Sequence, residues 1–167
     1  MKNEVVLTKS DVLAKCKGSS LSDVVNLNFW GRGITNIDIV SELENVETIA
    51  LSNNCVSSLR VFHGCKKLKE LFIRKNSICD LKEIDYLVGL PNLVNLWLTD
   101  NPVTNVEGYR RYVIFKLPQL TKLDEVDVLP EERVNNTCSF AVLEAITKLL
   151  PSLTMDELNE LEKNIVK

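Results

Sequence analysis

Histidine is almost missing from this chain: among 167 residues there is one, His63. Enzymes that move protons or activate nucleophiles need convergent titratable groups, and His63 has only Gly64 and Cys65 beside it. A His63–Cys65 nucleophile pair is disfavoured because Cys65 fills an apolar slot of the pattern described below and should point inward. Glycine signatures that cradle phosphates are also absent. Gly31-Arg32-Gly33 comes nearest, and it lies in a turn where glycine serves the backbone. The five cysteines form no Cys-x-x-Cys pair, and the carboxylates show neither calcium-loop nor zinc spacing. No catalytic residue, metal site or cofactor is expected. There is no basic surplus either: 20 Lys and Arg stand against 23 Asp and Glu, a net charge of -3, which removes the electrostatic footprint of a nucleic-acid binder. No run approaches the roughly 18 apolar residues of a membrane span. Val5-Val6-Leu7 after Met1-Lys2-Asn3-Glu4 is too short for a signal peptide. These absences lead to the expectation of a soluble, intracellular protein with reduced cysteines.

What the chain does have is a repeated phrase, Leu-x-Leu-x-x-Asn-x-Ile. The copies are Leu27-x-Phe29-x-x-Arg32-x-Ile34, Ile49-x-Leu51-x-x-Asn54-x-Val56, Leu71-x-Ile73-x-x-Asn76-x-Ile78 and Leu96-x-Leu98-x-x-Asn101-x-Val103. Their first residues stand at 27, 49, 71 and 96, so the steps are 49 − 27 = 22, 71 − 49 = 22 and 96 − 71 = 25. A period in the low twenties with this internal spacing is the leucine-rich-repeat signature. Apolar residues lead out of each copy at three-residue steps, as in Ile34-Ile37-Val40 and Val56-Leu59-Phe62. The Leu-x-Leu pair reads as a short strand with alternate side chains inward, and the three-residue steps as a 3₁₀-like return leg. Asn54, Asn76 and Asn101 form a structural ladder, since an Asn amide can bond turn backbone that would otherwise be buried unpaired. Arg32 breaks the ladder at its first rung. A single coil cannot bury its apolar face, so the coils must stack. The expected fold is α/β: a right-handed solenoid with a parallel sheet on its concave face.

The ends of a solenoid need covers. Residues 1–21 read as an N-terminal helical cap, with Thr8 or Ser10 capping a helix that carries Val12, Leu13 and Cys16 and stops at Gly18. Repeats and a C-terminal cap fill 22–124, the latter a helix from Tyr109 that ends before Pro118, then a last strand at Leu123. Residues 125–136 lose the pattern, are charged, and read as a linker or extended arm. Over 137–167 two short amphipathic helices follow, one with Phe140, Leu143, Ile146 and Leu150 along one face, the other with Leu158, Leu161 and Ile165 on one side behind the capping box Thr154-x-x-Glu157. Helices this short cannot hold a core alone, so this tail is expected to pack against other copies as a homo-oligomer.

The span Asn101–Asp124, with YRRYVIFKLPQLTKLD, resembles the C-terminal cap of leucine-rich-repeat proteins of the phosphatase-regulator and spliceosomal A-prime types. Together with Leu27-Asn28-Phe29-Trp30-Gly31, Leu96-Trp97-Leu98 and Val142-Leu143-x-Ala145-Ile146-x-x-Leu149-Leu150, it resembles more narrowly the family of cilia- and flagella-associated protein 410. That resemblance implies a non-enzymatic protein of the cilium base, tied to basal bodies, the cytoskeleton and cilium assembly. It further implies a NIMA-related kinase as partner and a self-associating C-terminal helical segment. A regulatory subunit docking a phosphatase or kinase, and a ribonucleoprotein component, are the competing readings.

Residues flanking the inward strand positions should line the concave surface. Trp30, Phe72, Arg74, Trp97, Asn28 and Asn95 are the candidate protein-binding residues, because aromatics and Arg are enriched at interface hot spots. A second cluster, Lys66, Lys67, Lys69, Arg74 and Lys75, reads as a solvated rim.

Overall fold

The computed structural model describes residues 4–17 and 19–133. Alternation of inward and outward side chains produces six short strands in one sheet, ordered as in the chain. They are β1 (Asn26–Asn28), β2 (Thr48–Ala50), β3 (Glu70–Phe72), β4 (Asn95–Trp97), β5 (Lys122–Leu123) and β6 (Val126–Asp127). The first five run parallel, and Leu27, Ile49, Leu71, Leu96 and Leu123 fall in register across them. All five are buried, one behind another. The return legs contain the expected 3₁₀ segments, Asp38–Glu42, Arg60–Gly64 and Leu81–Leu87. Their buried residues Val40, Phe62, Ile84 and Leu87 close the core opposite the sheet. Side chains that recur every third residue suit a leg with three residues per turn, so the apolar steps and the 3₁₀ geometry have one cause.

Stacked coils leave strand-end backbone groups inside the protein, where an unmade hydrogen bond costs about 1–3 kcal/mol. The asparagines meet that demand. Asn76 accepts from the Val56 N–H at 2.9 Å through Oδ1 and donates through Nδ2 to the carbonyls of Leu51 at 3.0 Å and Ile73 at 2.9 Å. Asn101 repeats the scheme one coil later, accepting from Ile78 and donating to Ile73 and Leu98. Asn54 resolves the break at Arg32: its Oδ1 accepts from both the Arg32 and Ile34 N–H groups at 3.0 Å. Reaching back to the preceding coil is what Asn76 and Asn101 do as well, with Asn54 adding the Arg32 N–H; Arg32 itself stands exposed.

At the front, α1 (Lys9–Cys16) starts at Thr8, whose hydroxyl accepts from Asp11 N while the Asp11 carboxylate accepts from Thr8 N. Val12 brings its buried face to the core. Gly108 leads into α2 (Tyr109–Lys116), with Tyr109, Val113 and Ile114 buried, and the chain then turns into β5. Burial pushes the Tyr109 hydroxyl far above its ordinary pKa, and the Asp124 carboxylate that accepts from it at 2.8 Å adds to the rise.

The linker expected over 125–136 needs correcting in its described part. Val126–Asp127 pairs antiparallel with β5 and ends the sheet, and the chain turns helical at Pro130. Arg110 causes this order. Its guanidinium makes two bonds to Glu132, at 2.7 and 2.9 Å, and donates to the carbonyls of Asp127 at 2.9 Å and Leu123 at 3.3 Å. Arg133 also donates to the Leu120 carbonyl. A charged segment lacking the repeat's periodicity is thus held by polar contacts. The tail residues Phe140, Leu143, Ile146, Leu150, Leu158, Leu161 and Ile165 lie outside the described residues.

Two tests follow from the core and its last clamp. Leu71→Ala should cost ~2–5 kcal/mol, and Asn76→Ala should cost at least about 1–3 kcal/mol for turn groups left unpaired; thermal melts matching the wild type would contradict the register. The Arg110 hydrogen bond holds the Glu132 carboxyl below the usual Glu range. A depressed carboxyl stabilises the fold above its unfolded-state pKa, and that contribution fades as pH falls through the folded-state value. Wild type should therefore melt above Glu132→Gln near neutrality, and the gap should shrink in acid.

Candidate protein-binding face

Register carries the outward residues of the strands into lateral rows across the open side of the sheet. One row runs Asn26, Thr48, Glu70, Asn95, Lys122 and the next Asn28, Ala50, Phe72, Trp97. Past the strand ends, Gly31 donates to the Ser52 carbonyl, Asn53 to Arg74 and Lys75 to Thr99. The ladder thus continues along Trp30, Ser52, Arg74 and Thr99 as a third row. Neighbours in a row are about 4.8 Å apart, close enough for side chains to act together.

In the first row Glu70 accepts from the Thr48 hydroxyl at 3.2 Å and from Asn95 Nδ2 at 3.4 Å. In the second, Phe72 and Trp97 meet edge to face, with ring centroids 5.0 Å apart and planes at 81°. Edge-to-face pairing sets the positive ring edge against a negative π face, so the rings hold each other while both stay half-exposed. Trp97 Nε1 and Asn95 Oδ1 are buried without a hydrogen-bond partner among the described residues. Trp30 stands apart. Its N–H donates to Asn28 Oδ1 at 3.2 Å, which fixes the backbone, while its side chain leaves the residue 63% exposed. Arg74 is exposed too and pairs with Asp100 at 3.1 Å.

The six candidates therefore share one face, but not one environment. Phe72 and Trp97 are a coupled pair, Asn95 joins Glu70, Asn28 serves the backbone beneath Trp30, and Trp30 with Arg74 faces solvent. Asp124, directly after β5, has a structural role. One carboxylate oxygen accepts from the N–H groups of Leu98 at 2.6 Å and Thr99 at 2.8 Å, and the other from Tyr109. It ties the end of β4 to α2, and its place directly before the repeat pattern is lost at residue 125 gave no sign of this.

Outside the face, three lysines of the rim are engaged one by one: Lys66 with the Gly89 carbonyl, Lys67 with Asn45 and Lys69 with Glu47. His63 is exposed while Cys65 is buried, and burial pushes the Cys65 thiol up to about 11. The thiolate that nucleophilic chemistry needs is therefore suppressed. No group of three or more potential metal ligands occurs among the described residues, nor is any described helix long and apolar enough to cross a membrane.

Comparison with known proteins supplies the family. The leucine-rich-repeat family model matches residues 8–151. Human cilia- and flagella-associated protein 410 is 44% identical over 128 residues, which is 75% of this chain and 50% of that protein. An uncharacterised Caenorhabditis elegans protein is 45% identical over 74% of this chain and 27% of its own length. The human U2 small nuclear ribonucleoprotein A′ is 33% identical over 70% of this chain and 46% of its own. The chain thus spans half or less of the length of these curated relatives. Among solved structures, the Chaetomium Mex67:Mtr2 subunits match with a TM-score of 0.56 at 18% identity, over 79% of this chain and 100% of that one. A likeness at that identity speaks for the fold alone. The repeat register, the sheet it builds and the match over residues 8–151 make this chain a member of the leucine-rich-repeat family, homologous to cilia- and flagella-associated protein 410.

Proposed function

We propose that this chain is a non-enzymatic protein-interaction scaffold of the cilium or flagellum base, acting at the basal body in cilium assembly. The observation that carries the ciliary assignment is the 44% identity with a protein named for cilia and flagella. In this reading α1 and the α2–β6 segment cap the solenoid, the open sheet face takes one protein partner, and residues 137–167 associate with other copies of the chain. A NIMA-related kinase is the partner suggested by the family resemblance. Support for the docking face is physical: Trp30, Phe72, Arg74 and Trp97 are the side-chain types that dominate interface energies, set on a sheet whose other face alone supplies the core. An inward residue must serve the fold, whereas an outward one is free to serve a partner.

The 33% identity with the A′ ribonucleoproteins supports a second reading, a ribonucleoprotein component. It ranks lower because the net charge is -3 and Lys66, Lys67 and Lys69 of the rim already have partners. Electrostatic attraction to phosphate dominates nucleic-acid affinity, and such a surface offers little of it.

Tagged full-length protein should concentrate at basal bodies in ciliated cells. A diffuse or nuclear signal with none at the cilium base would remove the ciliary assignment. Phe72→Ala combined with Trp97→Ala should weaken partner binding by about 2 kcal/mol or more, as hot-spot truncations do, with a loss of stability well below that of Leu71→Ala. Instability as large as Leu71→Ala would make these rings core instead. For the tail, light scattering at tens of micromolar should give a dimer or tetramer for the full chain and a monomer for a chain ending at residue 136; two monomers would contradict self-association.

A further inference from the structure

Trp30 is the most exposed large apolar residue described, at 63%, and it does not stand on open surface. It lines a hollow of about 220 Å³ with Ser52, Asn53, Arg74 and Lys75. The floor of this hollow is stiff. Asn53 and Lys75 both adopt left-handed backbone, at φ 61° and 55°, and each donates its N–H to the next coil, Asn53 to Arg74 at 2.9 Å and Lys75 to Thr99 at 2.8 Å. Gly31 is held at φ +67°, where a Cβ would stand 3.3 Å from Asn53 Nδ2. Glycine suits this tight, left-handed turn beneath Trp30, where a side chain would crowd Asn53.

The charges of the hollow are of one sign on its walls. Arg74 and Lys75 are its two cations. Arg74 shares an exposed ion pair with Asp100, at 45% and 51% side-chain exposure; such pairs contribute little, so an incoming carboxylate can share the guanidinium. By contrast with Lys66, Lys67 and Lys69, each of which is tied to an oxygen of its own fold, the Lys75 ammonium makes no hydrogen bond or ion pair among the described residues. A preformed pocket with an aromatic wall and two cations recognises an apolar side chain next to an acidic one, because the ring gains from burial and the charges from pairing.

We propose that the hollow beside Trp30 selects a protein partner through a short segment in which a carboxylate side chain adjoins an apolar one, the carboxylate taken by Arg74 and Lys75 and the apolar group by the indole. This rests on the open-face reading and names the chemistry of its partner.

Selection of phage-displayed peptides on the full chain tests it. The enriched peptides should carry Asp or Glu next to Leu, Ile, Met or Phe. A synthetic representative should lose at least tenfold in affinity on Lys75→Glu, on Trp30→Ala, and when its own carboxylates become amides, with the melting temperature of each variant unchanged. No enrichment, a basic or charge-indifferent consensus, or a representative unaffected by Lys75→Glu overturns the proposal. Loss of binding on Phe72→Ala with Trp97→Ala, but not on Trp30→Ala or Lys75→Glu, keeps the open-face reading and rejects the hollow; indifference to all of these variants rejects both. The chain's own acidic stretch, with Asp156, Glu157, Glu160 and Glu162, is the rival occupant. If making those four residues amides in the full chain moves the Trp30 indole resonance, the hollow belongs to the chain itself and the partner proposal falls.

Discussion

The asparagine side chain at the end of each central strand is the interaction on which everything else depends. A solenoid coil must turn inside the protein, and turning leaves backbone N–H and C=O groups away from water. Asn54, Asn76 and Asn101 each accept with one amide atom and donate with the other, bonding the coil before them and their own. With each buried unpaired group costing about 1–3 kcal/mol and a whole domain stable by only about 5–15 kcal/mol, losing more than a few of these bonds would undo the fold. Apolar slots fill the core, but the amides fix where one coil ends and the next begins.

Fixed pitch has a functional consequence. Because Leu27, Ile49, Leu71, Leu96 and Leu123 align, the residues beside them align too, and sequence positions more than twenty apart become neighbours. Phe72 meets Trp97 in this way, and so do Ser52 and Arg74 in the row that begins at Trp30. The fold separates its labour by side: inward residues supply stability, outward ones are released from it. On that released side stand Phe72 and Trp97 in one row and Trp30 in the next, while the buried Cys65 thiol, pushed up in pKa, lies on the core side.

Much of this was legible in the residues because the causes are local and periodic. The strand and 3₁₀ legs follow from spacings of two and three, and the ladder from Asn at one place in each repeat. The N-terminal helix could be read from Thr8 or Ser10 as its cap, though not which of the two, nor the Asp11 partner that completes the capping box. Where a contact is neither periodic nor apolar, the sequence is silent. Strand β6 has two residues, both exposed, and is held by Arg110 through bonds to Asp127 and Glu132; nothing in the spacing of those residues announces it. The role of Asp124 was hidden for the same reason. On the candidate face, register predicted which residues come together, but not that Trp30 would stay exposed while Phe72 and Trp97 half-bury each other. That division depends on the backbone at Gly31 and on ring packing, which pattern alone does not encode.

Native-state hydrogen exchange of the amides of Ile34, Val56 and Ile78 tests the primacy of the ladder most directly, since each donates to an asparagine oxygen and to no strand. The expected result is protection equal to that of the buried strand amides, with exchange only through global unfolding. Fast exchange at these three amides, beside a protected core, would show that the coils hold together without the asparagines and would contradict the dependence of pitch, rows and binding face on them.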